Sequence, residues 1–252
     1  SITKKIKNKL LPKQSVLLVS LWKSGTHWLA GIISDLTGLI PVYEATEEDY
    51  TIESVNQIKK YKSNYIIVRH LSSNPDIIYN ETKQFNIKIV FLYRDPRDVI
   101  ASNVNYRKYV EGIRENLPPF PEMTIKEILL WELNNKKLVE RYTLNLPNWV
   151  EYKCNDIFKI KYEDLVNNTY NSVEQLTSFL AKNKTSEEIN KIVENNSFEK
   201  KTNRSKGVEN KESHYRKGII GDYKNQFNES EQKILNNTLY KTLIRLNYIN
   251  EK

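Results

Sequence analysis

The sequence predicts an α/β fold: one domain over residues 1–252, with a mostly parallel central sheet flanked by helices. Three observations predict it. Short, nearly continuous apolar runs recur along the chain, the pattern of strands covered on both faces. Segments with helical spacing follow them. Two of the run-to-helix junctions carry residues suited to anion binding or helix capping. A chain of 252 residues with 39% hydrophobic residues can bury one sizeable core, and sheet-plus-helix enzymes of this length are commonly single domains.

Ser15 to Ser20 (SVLLVS) is the first apolar run. Leu29, Ile32, Ile33 and Leu36 follow at helical spacing from Thr26, and Gly38 stands where a left-handed C-terminal cap is expected. Residues 65–68 and 87–93 repeat the buried-strand pattern. The second leads into Asp95-Pro96-Arg97-Asp98, with Asp95 at the N-cap and Pro96 at the first helical position. Residues 157–160 form a weaker fourth strand. Further helices are read from Ile125, Ile128 and Leu129, from Val173, Leu176, Phe179 and Leu180, and from Leu235, Leu239, Leu243 and Leu246. Right-handed crossovers then place ligands at the carboxyl ends of the strands. The polar stretch 198–217 has no period and exceeds a usual connection, so it is either a functional lid or disordered.

Composition narrows the classes. No stretch approaches the ~18 to 20 apolar residues of a membrane span, and Lys4-Lys5-Ile6-Lys7 is followed by no apolar leader segment. A soluble, cytoplasmic protein is expected. Cys154 is the only cysteine, which excludes an intrachain disulfide and fits a reducing compartment. His27, His70 and His214 occur at no metal-ligand spacing, so metal-free chemistry is expected. The net charge of +8 favours an anionic partner, whether nucleic acid, lipid or nucleotide. Asn-x-Ser/Thr triplets such as Asn183 to Thr185 follow from abundant asparagine.

Trp22-Lys23-Ser24-Gly25-Thr26-His27-Trp28 joins the first strand to the first helix, where free backbone N–H groups and the helix dipole favour anions. Gly25 lets the backbone approach, Thr26 can cap the helix with its hydroxyl, and Lys23 adds a mobile charge. By itself K-S-G-T also reads as an ordinary tight turn, and it is not a Walker A loop. The segment resembles the K-S-G-T-T-W loop of cytosolic sulfotransferases that use 3′-phosphoadenylyl sulfate (PAPS). Three more motifs of that family follow in order: Tyr93-Arg94-Asp95-Pro96-Arg97-Asp98 with Ser102, then Tyr162-Glu163-Asp164, then Arg216-Lys217-Gly218 through Gly221-Asp222-Tyr223-Lys224. The resemblance implies that Arg94, Ser102, Arg216 and Gly218 hold the 3′-phosphate, that Lys217 also binds the nucleotide, and that residues 23–28 hold the 5′-phosphosulfate. It also implies that Trp28, Tyr162 and Phe198 line the adenine, and that adenosine 3′,5′-bisphosphate (PAP) is the product.

Sulfuryl transfer needs a base for the acceptor proton and a cation at the leaving oxygen. His70, at the end of a buried strand, resembles the base of the family's K-T-H-L-P segment, and Lys23 is assigned to the leaving group. Three departures stand out. Val68 and Arg69 replace the family's lysine and threonine, which moves the positive charge one position and toward the opposite strand face. His27 replaces a threonine. From Lys224, Asn228, Glu229 and Lys233 occupy the defining positions of the family's dimer motif, so a monomer or another dimer mode is expected. The acceptor is expected to be a small molecule with a hydroxyl or amine. The acidic run from Tyr43 to Tyr50, including Glu44 and Glu47, reads either as a solvated acidic loop or as a site for a cationic acceptor. A P-loop nucleotide kinase would need a Walker lysine and a magnesium partner, and a nucleic-acid-binding module would need a recognisable zinc, RRM or KH pattern. The sequence carries neither set.

Overall fold

The computed structural model describes residues 14–43, 64–71, 74–85 and 87–251. Five strands, β1 (Ser15–Ser20), β2 (Ile40–Tyr43), β3 (Tyr65–His70), β4 (Ile87–Tyr93) and β5 (Ile157–Lys161), form one sheet in the order β2-β3-β1-β4-β5. Every neighbouring pair is parallel. The helices are α1 (Thr26–Thr37), α2 (Pro75–Thr82), α3 (Pro96–Tyr109), α4 (Ile125–Asn134), α5 (Lys136–Glu140), α6 (Leu146–Glu151), α7 (Tyr162–Asn167), α8 (Thr169–Phe179), α9 (Ser186–Asn195), α10 (Phe198–Thr202), α11 (Tyr223–Gln226) and α12 (Glu229–Arg245). A π-helical stretch, Arg141–Asn145, joins α5 to α6.

The period of two along each strand sends alternate side chains into two cores. Leu17, Val19, Ile67, Ile89 and Phe91 meet α3, α4, α6 and α12 through Val104, Leu129, Trp149 and Leu239. Val16, Leu18, Ile66, Val90 and Leu92 meet α1, α8 and α9 on the other face through Leu29, Ile33, Leu176 and Ile192. Each fully buried Leu or Ile contributes roughly 1.5–3 kcal/mol, so the apolar runs that mark the strands also drive their burial.

Four details correct the sequence reading. β2 is absent from the sequence reading: its apolar stretch is only four residues long, Ile40 is 65% exposed, and Pro41 fits only an edge strand. The strand read as fourth is therefore the fifth. β3 runs past the apolar stretch 65–68, through the buried Arg69, and ends at His70, the strand-end position already read for the histidine. Residues 198–217 open with α10 before becoming a loop. Finally, Gly25 rather than Thr26 is the N-cap of α1, with no side-chain cap bond; the Thr26 hydroxyl instead meets that of Ser20 at 2.7 Å.

Candidate active site

The strand register brings the motifs to one edge of the sheet. Ser20 at the end of β1 pairs with His70 on one side and Leu92 on the other. Tyr93 pairs with Lys161, which sets Arg94 beside Tyr162; the guanidinium lies 4.3 Å over the tyrosine ring. The loop leaving β1 turns sharply, with φ of 65° at Lys23 and 92° at Gly25. Only glycine fits at position 25, since an added Cβ would stand 2.8 Å from the Tyr162 ring.

A cavity of about 350 Å³ runs along this edge. Every residue assigned from the motifs lines it except Ser24, whose side chain is fully buried and whose hydroxyl has no protein partner. At one end, Arg94 donates from Nη1 to the Lys23 carbonyl (3.2 Å) and from Nη2 to the Ile219 carbonyl (3.1 Å). Ser102 faces the cavity from α3. Arg216 pairs with Glu209 (2.8 Å) and Asp222, and Lys217 pairs with Asp222 (3.1 Å). Burial alone would raise the Asp222 carboxyl, but Arg216, Asn225 and Lys217 hold it below its ordinary value. Gly218 (φ 67°) leaves no room for a Cβ, which would meet Phe198 at 2.6 Å. Trp28 sits edge-on to Tyr162 at 6.0 Å. Arg204 folds the loop over this end: it donates to the carbonyls of Val208 (2.8 Å) and Arg216 (3.0 Å) and lies over Phe198.

At the other end an unbroken arc of rings leads to His70. Tyr43 stacks on His27 (4.6 Å between ring centres), His27 meets His214 (6.0 Å), and His214 meets Tyr106 (5.4 Å). Tyr106 meets Trp22 (5.6 Å), and Trp22 is edge-on to His70 (5.5 Å). Burial, with Arg141 and His27 adding, pushes the His70 imidazole down to about 4. His27 and His214 are lowered as well, chiefly by burial. All three are therefore neutral at pH 7. Lys23 lies between the two ends with Nζ 4.5 Å over Tyr106; burial, then Arg216 and Arg94, lowers it to about 8. Val68 shares the cavity face with His70, whereas the buried Arg69 does not line the cavity. Of the acidic run only Tyr43 is seen; Glu44, Glu47 and the rest through Tyr50 lie outside the described residues.

The cavity fits a nucleotide phosphosulfate on its own chemistry. Among the residues lining it, Trp28 Nε1, His70 Nδ1, Arg94 Nε and Asn196 Oδ1 are buried without a protein partner, a state native polar groups rarely keep without a ligand or water. The glycines at 25 and 218 bring backbone close to the same space. No group of three or more His, Cys, Asp or Glu side chains among the described residues could hold a metal ion. No described helix is long and apolar enough to cross a membrane. Sequence reasoning missed Trp22, Tyr106 and His214 as parts of this wall, and named Tyr43 only within the acidic run. Tyr106 was findable, four residues after Ser102 on the same face of α3.

The family model described as a sulfotransferase domain matches residues 13–246. Human sulfotransferase 2A1 is 25% identical over 243 residues, covering 85% of this chain and 79% of the relative. The guinea pig (Cavia porcellus) 3-beta-hydroxysteroid sulfotransferase is 23% identical over 253 residues, 90% of this chain and 83% of its own. Mouse sulfotransferase SULT7A1, solved in complex with PAP, superposes with a TM-score of 0.69 at 23% identity, covering 92% of this chain and 85% of that one. Retinol dehydratase with androsterone and PAP gives 0.64 at 19% identity, covering 95% and 83%. These likenesses decide against the kinase and nucleic-acid-binding readings. With the match running over nearly its whole length, the chain belongs to the sulfotransferase domain family.

Proposed function

We propose that this chain transfers the sulfuryl group of PAPS to a hydroxyl or amine of a small-molecule acceptor and releases PAP. The observation that carries this reading is one cavity in which a neutral His70, a lysine of lowered pKa and the anion-binding motifs of the sequence converge. The PAP complexes of SULT7A1 and retinol dehydratase support the nucleotide. PAPS supplies the activated sulfuryl group. His70 accepts the acceptor's proton as the acceptor oxygen or nitrogen bonds to sulfur. Lys23, held near the reacting centre, meets the charge that develops on the departing phosphate oxygen. Arg94, Ser102, Arg216, Lys217 and Gly218 hold the 3′-phosphate, the backbone of residues 23–28 the 5′-phosphosulfate, and Trp28, Tyr162 and Phe198 the adenine.

For the acceptor, the ring arc offers flat π faces, and Tyr43 leads directly from the cavity into the acidic run. This supports an acceptor bearing a positive charge. The lone Cys154 supports a reducing, cytoplasmic setting. Asn228 is occupied as the N-cap of α12 in a capping box with Glu231, which supports a monomer or a dimer mode of its own. The reading is tested by incubating the chain with sulfur-labelled PAPS and a panel of phenols, alcohols, amines and guanidines. Label should pass to one class without added metal. No transfer to any class, together with no binding of PAP at millimolar concentration, overturns it. A cationic acceptor further requires KM to rise with salt and on Glu44→Gln or Glu47→Gln.

A further inference from the structure

Asp98 lies one helical turn after Arg94, has a fully buried side chain and does not line the cavity. Its Oδ2 accepts from the backbone N–H of Gly221 (2.7 Å) and its Oδ1 from that of Tyr223 (3.1 Å). Arg94 Nη2 is 3.4 Å from Oδ2. The neighbouring Arg97 is engaged elsewhere, bonded through Nε and Nη2 to Asp95. Arg94 in turn reaches the carbonyls of Lys23 and Ile219. One carboxylate at the start of α3 therefore ties the strand-end arginine to the turn after Arg216-Lys217-Gly218, and through Arg94 to the loop leaving β1.

We propose that Asp98 is a positioning residue that sets the 3′-phosphate pocket before the nucleotide arrives. It holds the turn of residues 219–223 against Arg94, so that two segments 125 residues apart in sequence already face the phosphate. The reading rests on the nucleotide assignment above. A carboxylate suits the task because a charged acceptor makes short, strong bonds to two backbone donors at once. Its negative charge does not repel the phosphate, since the guanidinium and both amides lie against it and it is shut off from the cavity. Asn at this position would present an N–H₂ to one of those amides and drop the pairing with Arg94.

The test compares PAP with adenosine 5′-phosphate, which lacks the 3′-phosphate, by calorimetry on the full chain and on Asp98→Asn. The wild type should prefer PAP. In Asp98→Asn the preference should shrink by about 10- to 100-fold while adenosine 5′-phosphate binds as before, and KM for PAPS should rise with kcat nearly unchanged. Equal weakening of both nucleotides, or an unchanged preference, overturns the proposal. A wild type without any preference for PAP would instead sink the nucleotide assignment itself. If Asp98→Asn does not fold, amide exchange in the nucleotide-free wild type decides. The Gly221 and Tyr223 amides should already be protected, and exchange at open-loop rates until PAP is added would overturn the preset pocket.

Discussion

Around Arg94 and Arg216 the cavity wall is held by hydrogen bonds and ion pairs: two carbonyls and Asp98 fix one guanidinium, Asp222 and Glu209 the other. From Tyr43 to Trp22 the opposite wall is made of ring contacts, with Trp22 and Tyr43 37% and 46% exposed. The difference matches what each end is proposed to recognise. A phosphate demands donors at fixed angles, so its site has to be rigid before binding. An acceptor held by ring faces needs area and can tolerate small shifts. The first end is therefore written in short contiguous motifs, and the second is assembled from single residues on β2, α1, α3 and two loops.

The sharpest way to separate the ends is at His70, the proposed base, which lines the cavity but carries no proposed phosphate contact. His70→Ala should lower kcat by roughly 10²–10⁴ with PAP affinity intact; near-normal turnover with both substrates saturating would remove it as the base. Arg94→Ala attacks the other end. PAP affinity should fall by about 10- to 100-fold, the scale of charge-assisted hydrogen bonds, with a lower melting temperature because Asp98 loses its cation. Acceptor KM measured at saturating PAPS should hardly move.

The pH profile sharpens the contrast further. The neutral imidazole is the proposed base, and burial pushes His70 down to about 4. Loss of kcat/KM on acidification should therefore come well below the ordinary histidine value of about 6.5. On the alkaline side Lys23, lowered to about 8, must be protonated to attract an anion. PAP should bind more weakly as pH rises past about 8. Because a bound anion raises the lysine back toward its usual value, binding there should take up protons, readable by calorimetry in buffers of different ionisation enthalpy. The smallest effect belongs to the ring arc: His214→Ala should raise acceptor KM by roughly 2- to 10-fold, the worth of a ring contact, and leave PAP affinity unchanged.

Legibility in the sequence tracked locality. Strand β1, the loop after it and the Asp95-Pro96 helix start were readable because each is a contiguous pattern with its own physical cause. β2 was not, since its four residues are too few to show a period and Pro41 argues against a strand anywhere but at a sheet edge. The capping box of Thr185 with Glu188 at the start of α9 was a readable signal left unused. Arg94 was assigned to a phosphate from its motif, but its bonds to the Lys23 and Ile219 carbonyls depend on segments 71 and 125 residues away. The exchange of Lys for Val68 and of Thr for Arg69 had the consequence that strand alternation implies: Val68 on the cavity face, Arg69 off it.

The three histidines of the chain all stand on the wall of this one cavity. Its whole imidazole NMR spectrum is therefore a spectrum of the site, with no background from elsewhere in the fold. Three imidazoles, one at the end of β3, one in the first turn of α1 and one in the loop before Arg216, would follow nucleotide and acceptor separately in the unmodified protein. A histidine-selective acylating reagent would likewise address only this cavity, and its rate at each ring would map which part of the wall a bound molecule covers.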